Sequence, residues 1–144
     1  MFNTFEYLDS VKADLPVNEI LKASGITRME EMLQSIRNLK ENVIVARDSA
    51  DGHLNLKDRR LDHGYNMFYV FSRAKVNDQH SVLQAKRNSM ANGIKVLERI
   101  KRDSEDFTQP AYGVNFSRID YNELGPIAGT FYGYSFGFLV EQGF

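Results

Sequence analysis

Residues Gly129 to Val140 read GTFYGYSFGFLV. In extended backbone successive side chains point to opposite faces. Tyr132, Tyr134, Phe136, Phe138 and Val140 therefore share one face of a strand, and Phe131, Gly133, Ser135, Gly137 and Leu139 share the other. The large side chains of the first face demand a cover, since full burial of each contributes about 1.5–3 kcal/mol. The opposite face, flattened by glycine and serine, admits close approach by the amino-terminal helices or by a neighbouring subunit.

The cover is legible further upstream. At helical periodicity, Val82, Leu83, Ala85, Met90, Gly93, Ile94, Val96, Leu97 and Ile100 fall on one side of a helix over 79–102, which Asn77-Asp78 can start. Arg87, Lys95, Glu98, Arg99 and Arg102 occupy the other side. Asp103 to Pro110 reads as a polar linker, and Tyr112 to Tyr121 as another strand, joined to the last one through a turn at Gly125-Pro126. Two more strands come earlier: NVIVAR (42–47), β-branched and short, and YNMFYVFSRAKV (65–76). Between them lies DSADGHLNLKDRRLDHG, residues 48–64, dense in charge and turn residues. It forms either an exposed arm or, after a turn at Ala50-Asp51-Gly52, a brief strand at His53 to Leu56.

The first 41 residues read as helical. Phe5, Leu8 and Val11 predict a helix over 4–13, ended before Pro16. Ile20 and Leu21 suggest a further turn or two, closed at Ser24-Gly25. Thr27 with Glu30 has capping-box spacing ahead of the stripe Met29, Met32, Leu33, Ile36 and Leu39. The expected fold is a single α+β domain over 1–144. It has a mostly antiparallel sheet of four or five strands, one long helix packed across it, and short N-terminal helices.

Composition narrows the function classes. The 144 residues carry 18 basic and 19 acidic side chains, a net charge of −1, too balanced for a global field that would hold nucleic acid or an anionic membrane. Cysteine is absent, which excludes disulfides, thiolate metal sites and cysteine nucleophiles. Glu6 and Asp9 interrupt the amino terminus where a signal peptide needs an apolar run, and Ile127 to Val140 is shorter than the roughly 20 residues of a spanning helix. No targeting segment and no membrane partner are expected.

Chemical motifs are scarce. His53, His63 and His80 lack helical partners, and Asp51, Asp58, Asp62 and His63 match neither an EF-hand nor a zinc spacing. The glycines of GPIAGTFYGYSFG do not lead from a strand into a helix, so they form no phosphate cradle. Glu98 with Glu105, or Asp103 with Asp106, are carboxylate pairs that nothing places in a cleft. No catalytic residue, metal ligand or cofactor is expected. Two surfaces remain. Arg87, Lys95, Arg99 and Arg102, joined by Lys86 and Lys101, form a basic helix face, whose ordinary reading is solvation and whose functional one is an acidic protein or nucleic acid. Lys57, Asp58, Arg59, Arg60 and Asp62 mix both signs on the arm, a pattern suited to specific subunit contacts.

The stretch DRRLDHGYNMFYVFSRAKV (Asp58 to Val76), continued through the long helix and closed by LGPIAGTFYGYSFGFLV (Leu124 to Val140), resembles a family of small proteins encoded in prophage-like regions of gut bacteria. The element order is similar to tail-completion and tail-terminator proteins of long-tailed phages, which pack helices on a sheet and assemble as rings. The resemblance implies a non-enzymatic structural protein that forms a homo-oligomer, such as a ring, and docks to other tail or neck proteins. It would reside in the bacterial cytoplasm during assembly and in the virion afterwards. The contrasting expectation is a nucleic-acid-associated or regulatory binding module using the basic face of helix 79–102. An enzyme of unrecognised type stands third.

Overall fold

The last strand and the aromatic strand before the long helix find each other along their whole length, from Leu61 opposite Gly143 to Arg73 opposite Phe131, without a break in register. Around this ladder the computed structural model describes residues 2–23, 26–35, 42–47, 51–57, 61–75 and 77–143. In chain order the elements begin with α1 (Thr4–Ser10), a 3-10 turn (Lys12–Asp14), β1 (Glu19–Ala23) and α2 (Ile26–Ser35). Next come β2 (Asn42–Arg47), β3 (Asp51–Asn55), β4 (Leu61–Arg73) and the long helix α3 (Gln79–Ser104). The chain closes with β5 (Val114–Ile127) and β6 (Phe131–Gly143). The architecture is α+β, with a mostly antiparallel sheet of six strands ordered β1-β2-β4-β6-β5 and β3 paired to β4. On one side of β4, β2 faces residues 68–72 and β3 faces residues 61–65, so the two short strands lie end to end.

The sixth strand is where the expectation of four or five needs correcting. Ile20 and Leu21 belong to β1, parallel to β2, and not to a helical turn. Their period of two is the reason: Ile20 enters the core on one face, while Leu21 and Ala23 serve the other. Asn18 pins the start of the pair, its backbone N–H donating to the Asn42 carbonyl at 2.8 Å and its side chain accepting from the Asn42 N–H at 3.0 Å. Parallel strands need a crossover, and α2 provides it. That helix begins at Ile26, so Thr27 sits within its first turn and not ahead of it as a cap. Of the expected stripe, Met29 and Leu33 are buried and Met32 packs beside them, while Ile36 and Leu39 lie outside the described residues.

Both faces of the sheet are used. One carries Ile44, Ala46, Phe68, Val70, Phe136, Phe138 and Val140, covered by Val96 and Ile100 of α3 and by Phe2, Tyr7 and Leu8 around α1. The other carries Val43, Val45, Phe71, Ile127 and Phe131, packed on Met29 and Leu33 of α2. The long helix thus shares its face of β6 with α1: Phe138 meets the Phe2 ring edge-on at 6.1 Å. On the flat face α2 takes the Phe131 end, and the Tyr65 phenol occupies the space over Gly137.

Two small residues let α3 sit close. Ser89 is buried and donates to the Tyr132 carbonyl at 3.0 Å. Gly93 lies directly over Phe136, whose ring would be 2.3 Å from an added Cβ. Asp78 caps the helix, accepting from the Ser81 N–H at 3.1 Å. Its last turn includes Asp103 and Ser104, which the linker reading had placed outside it. Gly125-Pro126 does not make the final reversal either. It lies in the irregular end of β5, and the chain turns at Ala128–Thr130, with positive φ at Ala128 and Gly129.

Gly93→Val is expected to lower unfolding stability by about 1–3 kcal/mol, because Phe136 is stacked on Phe68 and cannot withdraw without losing that contact. Denaturant titration of the variant against the parent measures it.

Candidate functional site

Asp103 is a carboxylate buried near the end of α3, and three side chains converge on it or its partner. The Tyr7 hydroxyl of α1 donates to Asp103 Oδ2 at 2.6 Å, and Arg99 Nε donates to the same oxygen at 3.0 Å. Arg99 Nη1 reaches Asp14 Oδ2 at 2.6 Å. Burial pushes the Tyr7 phenol well above its ordinary value, and the adjacent Asp103 carboxylate adds to the effect. Hydrogen bonds to Asp103 and then Asp14 raise the Arg99 guanidinium. These hydrogen bonds clamp α1 and the turn after it to α3. Their chemistry is that of a structural lock.

The lock changes the basic helix face. Arg99, expected there, is only 17% exposed in its side chain and points to Asp14 and Asp103. Lys86 is likewise engaged: its ammonium lies 2.8 Å from Glu123 and 5.8 Å from the centre of the Tyr132 ring. The hydrogen bond to Glu123 raises its pKa above the ordinary lysine value. Arg87, Lys95, Lys101 and Arg102 remain exposed. Leu83 and Ile94, expected beneath the helix, are exposed too. With Met90 and Ala91 they line an open groove of about 520 Å³ between α3 and β5, closed on the far side by Glu123 and Tyr134.

The second expected surface is more ordered than a loop. Residues 51–55 form β3, and the neighbouring part of β4 carries Asp62, paired in register with Leu54 on one side and Gln142 on the other. Lys57 is exposed at a bend whose N–H donates to the Asn55 side chain at 3.1 Å. Asp58, Arg59 and Arg60 lie outside the described residues. Every residue of β3 is exposed, and Leu54 and Leu56 stand out at 56% and 65%. Beside them is a cavity of about 320 Å³ bounded by Phe2, Leu54, Asn66, Val140 and Gln142, with Gly52 and Gly64 facing each other across the strands. Charge counting had singled out this segment. The exposed leucines and the glycine-floored cavity were missed, although the alternation Gly52, Leu54, Leu56 was there to read.

Among the described residues, no group of three or more His, Asp or Glu side chains could hold a metal ion. No helix among them is long and apolar enough to cross a membrane.

Asp103→Ala strands the Tyr7 hydroxyl and leaves Arg99 with Asp14 alone, and about 3 kcal/mol of stability should be lost. Tyr7→Phe removes a single hydrogen bond and should cost about 1 kcal/mol at neutral pH. It also changes the alkaline limb. A phenol whose folded pKa is raised contributes stability that is complete below its unfolded value, near 10, and is lost as pH rises above it. Above pH 10 the parent should therefore lose stability more steeply than Tyr7→Phe, a difference readable from melting curves across pH. No protein-family model matches the chain, and no curated protein resembles it significantly.

Proposed function

We propose that this chain is a non-enzymatic assembly protein that works by self-association and by docking to other proteins, in the manner of a tail-completion or tail-terminator protein of a phage or prophage. The observation that carries the assembly reading is the β3 edge. There the sheet stops at an extended strand bearing exposed Leu54 and Leu56, and among the described residues β3 pairs with β4 alone. An edge strand with exposed apolar side chains is a template for another chain. The groove beside α3, apolar but flanked by Lys86, Arg87 and Glu123, offers a second and different surface, which a ring or a heterologous partner requires. The virion assignment itself rests on the resemblance in residues 58–76 and 124–140.

The nucleic-acid alternative draws on Arg87, Lys95 and Arg102. Engagement of Arg99 and Lys86 with carboxylates weakens that face, so the assembly reading is preferred.

Native mass spectrometry and sedimentation of the chain should show a defined multiple of 16.5 kDa. A monomer at every concentration, indifferent to tail-tube or neck proteins, would overturn the reading.

A further inference from the structure

We propose that β3 is a self-pairing edge. Two copies of the chain join antiparallel through β3 and the two residues that follow it, Leu56 and Lys57, in the register that sets Leu54 against Leu54 of the second copy. This rests on the self-association reading and names the surface and the occupant.

Charge and shape complementarity select the register. With Leu54 on the two-fold axis, His53 faces Asn55 of the second copy, Gly52 faces Leu56, and Asp51 faces Lys57. Opposite charges directly across a strand pair are favourable, and like charges are not. Both are exposed: Asp51 pairs with Arg47 yet keeps 68% of its side chain exposed, and Lys57, at the bend after β3, straightens to meet it. Moving the axis to His53 sets that side chain against itself and takes Lys57 away from Asp51. Moving it to Asn55 puts His53 opposite Lys57.

The apolar side agrees. Gly52 and Leu54 lie on the face of the sheet that also carries Phe2 and Val140, and Leu56 follows one residue beyond β3. Gly52 has no side chain to offer and lies opposite Gly64, which leaves the cavity of about 320 Å³ beside Phe2, Asn66 and Val140. Leu56 of the second copy, facing Gly52, comes to rest over that cavity, while the two Leu54 side chains cover each other. Because the interface is isologous, each contact occurs twice. One short strand thus removes four exposed leucines from water and continues the sheet from copy to copy.

The test uses the full chain, and its lack of cysteine makes single-cysteine variants unambiguous. Sedimentation over a concentration series should show a dimer that Leu54→Lys abolishes, with melting temperature held since the side chain is exposed. Asp51→Lys or Lys57→Asp should each weaken association about tenfold. Under mild oxidation Leu54→Cys should give a covalent dimer, whereas His53→Cys should cross-link only when mixed with Asn55→Cys. A parent that assembles but ignores Leu54→Lys overturns the β3 interface and leaves self-association standing. Cross-linking of His53→Cys with itself in preference to Leu54→Cys overturns the register. A parent monomeric throughout overturns this inference and the self-association reading together.

Discussion

Phe136 beneath Gly93 is the contact on which the arrangement depends. A ring centred on β6, stacked on Phe68 of β4 at 5.4 Å, meets the one helical position with no side chain. Any Cβ there would hold α3 away from the sheet, and the packing of Val96 and Ile100 on Phe68, Val70 and Phe138 would open with it. Once seated, α3 carries Asp103 to the place where Tyr7 can reach it. The amino-terminal helix is therefore positioned by a glycine more than eighty residues away in sequence.

Much of this was legible because it is periodic. The alternation in β6, the two-sided β-branched run of β2 and the cap and stripe of α3 each state their own burial pattern locally. What escaped was decided by tertiary partners. β1 is too short for its period to be distinguished from a helical turn, and only pairing with β2 makes it a strand. Leu83 and Ile94 sit within the apolar arc of α3, but the sheet beneath them ends at β5, so among the described residues no element covers them. Arg99 looked like one more surface cation. Only the fold shows that Asp14, from a distant turn, and Asp103, one helical turn on, draw it inward.

That diversion bears on function. Cations consumed by internal carboxylates add little to the field a polyanion would feel, because the pair's outward potential largely cancels. Two of the six cations of the expected basic helix face, Lys86 and Arg99, have close acidic partners, and Arg102 lies 3.8 Å from Asp103. The cations left exposed on α3 are Arg87, Lys95, Lys101 and Arg102, beside a groove lined by Leu83, Met90 and Ile94.

Among the described residues β1, β3 and β5 are edge strands, and β5 and β3 are treated differently. β5 is long, yet its register slips between Asn115 and Asp120 and again between Leu124 and Ile127, Pro126 removes a donor, and Arg118 and Glu123 stand exposed along it. Bulges, proline and charge are the devices by which proteins keep an edge from recruiting strands. β3 has neither bulge nor proline within Asp51–Asn55, and its one charge, Asp51, stands at the start of the strand: its pairing with β4 is regular, and it displays Leu54 with Leu56 just beyond. Of these two edges the long one is guarded and the short one open, which favours β3 over β5 for strand pairing. A short strand also limits growth, since an isologous pair uses the edge up and closes on itself. Any further assembly would then have to proceed through a different surface, and the groove beside α3 offers one on the opposite flank of the sheet.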